Sequence, residues 1–265
     1  MNFTQELQNR VKNRKKHSLI DMNTLLEHFV IISYKVPVNR IKHLIPEPFK
    51  LWTFVEDNVE YALISAVNFK DTDFSLSRIL QFIKFNFYQT NFRTYIIDKT
   101  NNSHCAWFFG TTLGSKTSLI PNKIWKMPWE RGKYTEDIRI KNGIYNKYEL
   151  EFKSKQGIGK VSLVSTTTKM KIHSGFTSLD EQLLILTHPV IGYYYLKNKE
   201  IGTYEIWHPK MDLCEGKLDD AYFELFNKLN LLDKKEMKHP HSVLIINEIE
   251  FDILLPPKKY NNGQQ

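Results

Sequence analysis

The segment FNFYQTNFRTYIID (85–98) alternates side chains without interruption, and that constrains the fold more than any other stretch of the chain. In a strand, successive side chains point to opposite faces. One face therefore carries Phe85, Phe87, Gln89, Asn91, Arg93, Tyr95 and Ile97, and the other Asn86, Tyr88, Thr90, Phe92, Thr94 and Ile96. The polar turn TNNS (100–103) follows, and HCAWFFGTTL (104–113) returns as the second arm of a hairpin. LEHFVIISYKV (26–36), ended by Pro37, and VEYALISAVNF (59–69) also read as strands. So do NKYELEFKS (146–154) and KVSLVSTTTKMKI (160–172) around a Gly157–Gly159 turn, IGTYEIWHP (201–209) and SVLIINEIEFDILLP (242–256). Many strands and few helices predict a mainly β chain, an antiparallel barrel or sandwich rather than βαβ units. No linker or repeat interrupts residues 1–265, so a single domain is expected. An aromatic content of 13% suits strands and concave apolar pockets.

The helices are fewer. Phe3, Leu7 and Val11 recur every four residues, predicting a short amphipathic helix in an N-terminal extension (1–20) packed on the domain. VNRIKHLI (38–45) has helical spacing up to Pro46, and SLSRILQFI (75–83) reads as a short helix. Ser178 with Glu181 three residues on is a capping box for the helix over 178–188. LDDAYFELFNKLNL (218–231) reads as an amphipathic helix, and residues 258–265 as a disordered tail.

Net charge is +8, much of it at Arg10–Lys16, Lys234–Lys238 and Lys258–Lys259. No nucleic-acid motif accompanies it, so the reading is a solvated basic surface. Cys105 and Cys214 form no disulfide framework, which fits a reducing, cytoplasmic setting. There is no apolar run of membrane-spanning length and no secretory signal at the start.

On the 85–98 strand, Gln89, Asn91 and Arg93 occupy successive positions of one face between Phe87 and Tyr95. Facing a pocket, they would give it an aromatic wall and a polar centre. Arg93 stays charged and presents a planar fork of donors suited to a carboxylate or phosphate. The structural alternative is an internal ion pair from Arg93 to Glu27 or Glu130. Trp107 and Phe109 share a strand face, and Trp125 and Trp129 follow, as pocket lining or core. Tyr193–Tyr194–Tyr195 reads as surface or interface packing, and Cys105 as a packed, inert thiol. No HExxH, GxSxG, GxGxxG or P-loop occurs, and the nine histidines are scattered, so neither a metal nor a cofactor is expected.

SYKVPVNRIKHLIPEPFKL (33–51), with its Pro46–Glu47–Pro48 segment, resembles the opening of acetoacetate decarboxylase. FYQTNFRTYIID followed by HCAWFFGTTLGS, and the stretch from SLDEQLLILTHPVIGYYYL to PHSVLIINEIEFDILLPP, resemble the uncharacterised YqjF-like branch of that superfamily. The resemblance spans residues 25–257. It implies a closed, conical antiparallel β-barrel with peripheral helices around a buried pocket, and a barrel type that commonly forms homo-oligomers.

The decarboxylase uses a Schiff-base lysine beside a second lysine that lowers its pKa. In the matching segment IWKMPWERGKY (124–134), Trp129 and Glu130 stand where the lysine pair would be, and Lys126 and Lys133 are out of register. Gln89 replaces the family's pocket carboxylate, and Glu27 stands at the position of a pocket arginine. Three functional expectations follow. The first is a barrel binding a small carboxylate through Arg93, Gln89, Asn91, Tyr95, Trp107, Trp129 and Glu130. The second is a keto-acid lyase using Lys126 or Lys133. The third is a non-catalytic interaction protein using the basic surface.

Overall fold

Side-chain alternation organises most of the molecule. The computed structural model describes residues 2–15, 18, 21–76, 85–115 and 129–260. Among the described residues, thirteen strands form one sheet. The first six are β1 (Met22–Pro37), β2 (Phe49–Leu51), β3 (Thr53–Glu56), β4 (Val59–Leu76), β5 (Phe85–Asp98) and β6 (His104–Leu113). Next come β7 (Trp129–Lys141), β8 (Ile144–Ser154) and β9 (Ile158–Lys169). The last four are β10 (Ile191–Tyr195), β11 (Ile201–Trp207), β12 (Cys214–Phe223) and β13 (Ser242–Lys259).

The central order is β13-β1-β4-β5-β6, antiparallel throughout. The outer edges of β6 and β13 are each shared by two strands. On β6, residues 106–108 pair with β10 and residues 111–113 with β7. On β13, residues 244–245 pair with β12 and residues 252–259 with β11. Two branches, β7-β8-β9-β12 and β10-β11, thus run from β6 round to β13, and the sheet closes into a ring by both.

The sheet is not wholly antiparallel, because β6 pairs in parallel with both β7 and β10. A parallel neighbour cannot follow through a tight turn, and fifteen residues of sequence, 114–128, separate β6 from β7.

The central strands bury both faces. On one, Val30, Ile32, Tyr34, Ile64, Ala66 and Phe92 pack against Tyr148, Phe152, Phe223 and Phe226 from the longer branch and the helix after it. On the other, Leu26, Phe29, Val67, Phe69 and Tyr95 pack beneath two helices, α1 (Phe3–Lys12) and α3 (Leu179–Leu186). In α1, Leu7 is buried, and Phe3 and Val11 pack on the same cluster, as their spacing predicts. The segment 38–45 is also helical, as α2 (Val38–Ile41) and a 3₁₀ turn (Lys42–Leu44).

Ser178 caps α3 by accepting from the Glu181 amide at 3.1 Å. The reciprocal arm differs from a capping box. The Glu181 carboxylate accepts from the amide and hydroxyl of Thr177, at 2.7 and 2.6 Å.

Three expectations change. Residues 218–231 do not form one helix. Residues 214–223 form β12 against β9, with Ala221 and Phe223 buried at strand spacing, and only Glu224–Lys228 is helical (α4). Pairing with β9 overrides the helical propensity there. Residues 258–260 are held by the fold: Lys258 and Lys259 belong to β13, and Tyr260 donates its amide to Ile201 O at 2.9 Å and packs its ring against Phe49 and Tyr193, while 261–265 lie outside the described residues. Tyr193 and Tyr194 are core residues, and only Tyr195 is exposed. The expected helix over 75–83 begins inside β4, and residues 77–83 lie outside the described residues.

The N-terminal basic cluster is engaged by the fold. Arg10 donates to the carbonyls of His104 and His188 and pairs with Glu6. Arg14 pairs with Glu250 and Asp252 and lies 4.3 Å over the Trp207 ring. No helix among the described residues is long and apolar enough to cross a membrane.

Candidate functional site

Two β-bulges decide which side chains meet inside the shorter branch. In β1 the register with β4 jumps from Glu27/Lys70 to Val30/Asn68, and His28 adopts φ 55°. Leu26 and Phe29 consequently share a face. In β6 the register with β5 jumps from Phe92/Gly110 to Arg93/Phe108, leaving Phe109 unpaired. That extra residue inverts the alternation, so Phe108 faces inward.

The inward face encloses a cavity of about 60 Å³. Leu26, Phe29, Val67, Phe69 and Phe87 line it from the central strands, with Leu113 and Phe108 from β6. Phe251 and Ile253 of β13, beside β1, and Tyr204 and Ile206 of β11 also line it. Gly192 of β10 also lines it, and a Cβ there would lie 2.6 Å from the Phe108 ring, so only glycine lets that ring pack where it does.

The polar groups in this apolar wall are few. Gln89 Nε2 donates to Asn91 Oδ1 at 2.8 Å, and Thr111 Oγ1 donates to the same oxygen at 3.0 Å. Arg93 is 6% exposed. Its Nη2 donates at 2.7 Å to the carbonyl of Leu186, the last residue of α3. Carbonyls at a helix end lack intrahelical partners and carry partial negative charge, so the helix terminus holds the guanidinium in place. Arg93 Nε is buried with no hydrogen-bond partner.

The expected ion pair with Glu27 or Glu130 is not formed. Glu27 lies on the opposite face of the sheet, 3.3 Å from Lys70 Nζ and accepting from Thr72 at 2.8 Å. Glu130 is aligned with Thr112, one position out of phase with the cavity-facing Thr111.

A second ionisable group went unnoticed in the sequence. Asp71, on β4, lines the same cavity and is 2% exposed. Thr24 Oγ1 donates to its Oδ1 at 3.3 Å, and its Oδ2 has no partner. Burial pushes the carboxyl up to about 8, against the smaller opposing effect of the Thr24 hydrogen bond. The available signal was parity: Asp71 follows Val67 and Phe69 at two-residue steps in one strand.

Of the seven residues singled out from sequence, Gln89, Asn91, Arg93 and Trp129 meet at the cavity. Tyr95 shares their face but lies beneath α3, its hydroxyl 2.7 Å from Ser65 Oγ and its ring 5.6 Å from the Arg93 guanidinium carbon. The β6 bulge turns Trp107 to the other side, against Phe49 and Tyr195. Glu130 is away from the cavity for the reason given above. Lys133 is exposed on β7, and Trp125 and Lys126 lie outside the described residues. No lysine occurs among the described lining residues. Cys105 is buried, and burial pushes its thiol up to about 12, so it is not a thiolate at neutral pH. His188 and His208, 4.1 Å apart between ring centroids, support the loop around Thr187, and burial pushes them down to about 2 and about 4.

Comparison with known proteins places this arrangement. The pattern of the DUF2071 family, described as "uncharacterized conserved protein", matches residues 24–249. No curated protein matches the chain in sequence. Its fold is similar to that of the enduracididine biosynthesis enzyme MppR complexed with pyruvate, at TM-score 0.60 and 9% identity, covering 95% of each chain. It is similar to acetoacetate decarboxylase from Legionella pneumophila at TM-score 0.58 and 11% identity, covering 96% of this chain and 94% of that one. An acetoacetate decarboxylase-like enzyme from Sphingomonas wittichii matches at TM-score 0.55 and 8% identity, over 92% and 94% of the two chains. At these identities the likeness is one of fold.

Proposed function

The chain belongs to the DUF2071 family and has an acetoacetate-decarboxylase-like fold, and from that premise we propose that it binds a small carboxylate in the cavity of its shorter branch. Arg93 anchors the carboxylate, Gln89 and Asn91 orient the ligand, and Trp129 with the apolar wall excludes water. The observation that carries this reading is Arg93 itself. It is a buried, permanently charged group on a cavity wall, with one nitrogen unpartnered and no carboxylate in ion-pair reach among the described residues. Such a charge is strongly destabilising without an anion, and a ligand carboxylate supplies one. The pyruvate complex of MppR shows a fold of this kind taking a small carboxylate. In this reading the closed ring is a conical barrel.

Binding proceeds without imine chemistry. Trp129 and Glu130 stand where a Schiff-base lysine pair would be required, and neither side chain forms an imine. Lys133 points to solvent, which disfavours it as a displaced nucleophile. The basic-surface reading also weakens, because Arg10 and Arg14 are committed to contacts within the chain.

Calorimetric titration with pyruvate and acetoacetate tests the anchor. Arg93→Met should weaken binding by about tenfold or more, the loss expected for a charge-assisted hydrogen bond. Unchanged affinity in a folded variant would remove Arg93 from the role. Borohydride treatment with either keto acid should trap no adduct, and a trapped adduct would restore the lyase reading.

A further inference from the structure

We infer that the ligand of this cavity is an elongated amphiphile, with a carboxylate at the Arg93 end and a neutral hydrogen-bond acceptor about ten carbons away at Asp71. This rests on the reading that Arg93 holds a carboxylate, and it adds the ligand's length and its second polar group.

The argument begins with register. Asp71 is aligned with Phe87 on β5, and Arg93 lies six residues further along that strand. At about 3.3 Å per residue the two positions are about 20 Å apart along the sheet. Side-chain lean and strand twist leave on the order of 15 Å between the polar ends. A keto acid of three or four carbons, with bonds of about 1.5 Å, touches only one of them. The wall between is largely apolar, formed by Leu26, Phe29, Val67, Phe69 and Phe251, with Gln89 and Asn91 of β5 as its polar groups toward the Arg93 end. About 60 Å³ spread over such a length is a slot one extended chain wide.

At the far end Asp71 makes a built site. It is 2% exposed, Thr24 holds one carboxyl oxygen, and the other is buried without a partner. The burial that raises its carboxyl keeps the acid form at neutral pH, so Asp71 donates a hydrogen bond there. The matching ligand group is a hydroxyl, ketone or amide oxygen. A second carboxylate would meet no cation among the described residues, since Lys70 is on the opposite face, paired to Glu27. The other ionisable groups near Asp71 are Tyr134 of β7, held above its ordinary value chiefly by burial and in smaller part by the Asp71 charge, and Asp73 further along β4. Thr24 is the one group among them that hydrogen-bonds Asp71 and shifts it.

The test is calorimetry with straight-chain acids from butanoate to dodecanoate and their derivatives with a ketone next to the terminal methyl, which accepts but cannot donate, at about pH 6.5 and about pH 9.5, on either side of the Asp71 transition. Affinity should rise by about threefold per methylene up to the ten-carbon range and then level off. At the lower pH each long keto acid should outbind its parent by about fivefold, and the advantage should vanish at the higher pH, where the ionised Asp71 can no longer donate to the ketone. Asp71→Asn should keep the advantage at both pH values, because the amide donates regardless of pH. Arg93→Met should weaken every acid. If acids bind through Arg93 but affinity is flat with chain length, or Asp71→Asn retains the wild-type pH dependence, the elongated ligand is overturned and the carboxylate anchor stands. If no acid binds, or Arg93→Met binds them as the wild type does, the anchor itself fails and this inference with it. Should Asp71→Asn not fold, the chain-length series in the unmodified protein decides.

Discussion

The two faces of β1, β4 and β5 come from the same strands and reach opposite ends. One face is filled. Phe92 meets Phe152, Phe223 and Phe226 at ring-centroid distances of 6.2, 5.8 and 5.2 Å. The Tyr134 hydroxyl on that side is spent within the protein, donating to Thr112 O at 2.9 Å, and Asn68 accepts from Thr90 at 2.9 Å, although its Nδ2 has no partner. The other face is hollow, and Arg93 Nε and Asp71 Oδ2 are left without partners. The difference lies in the covering layer. Four strands and α4 close over the filled face, whereas β10, β11 and two helices cover the hollow one. A strand's alternation delivers side chains to both faces equally, and the layer opposite decides whether they become core or site.

The largest effect that could break this contrast is a pair of truncations. Phe92→Ala should lose about 3–5 kcal/mol in urea denaturation, because it opens a void in a packed region. Phe69→Ala, which enlarges an existing cavity, should lose about 1–2 kcal/mol less. Equal losses would mean that the two faces do not differ in packing.

Asp71 sharpens the contrast through pH. Its folded-state value of about 8 lies above the ordinary 3.8, so the folded protein binds that proton more tightly than the unfolded chain. The stability this contributes is complete below about pH 4 and is lost as pH rises through about 8. Asp71→Asn should therefore gain on the wild type across that window, by a few kcal/mol at its upper end, and the margin should be constant above it. Parallel stability curves for the two proteins would show that Asp71 is solvated.

Arg93→Met should leave stability unchanged or raise it by about 1–2 kcal/mol in thermal melts, because the buried charge serves a ligand rather than the fold. A marked loss would identify a structural arginine. Smallest of all, Lys35→Met removes a partly exposed ion pair with Glu56 and should shift stability by about 0.5 kcal/mol or less.

Much of this could be read from the residues in order. The strands 85–98 and 104–113 match their sequence limits, and the Gln89–Asn91–Arg93 face was visible because no irregularity interrupts β5. Trp107 was misplaced because Phe109 is an extra residue, and a bulge leaves no compositional mark in WFFG. Asp71 is hard to read from sequence because the apolar strand pattern ends at Phe69, whereas β4 continues to Leu76 through pairing with β1 and β5. The 218–231 segment carries a helical pattern that only its partner β9 could overrule. The ion pairs proposed for Arg93 failed for a related reason: which carboxylates share its face depends on registers that the local sequence does not encode.

The unpaired Phe109 also bears on how such a chain can diversify. Deleting that one residue would pair Phe92 with Gly110 and Arg93 with Phe108 in unbroken register, leaving Phe108 toward the cavity and Trp107 away from it. The bulge thus absorbs one residue of chain length while the same side chains wall the chamber. A chain of this kind can gain or lose a residue at that point and keep its ligand, whereas the same change elsewhere in β6 would exchange one wall for its reverse face.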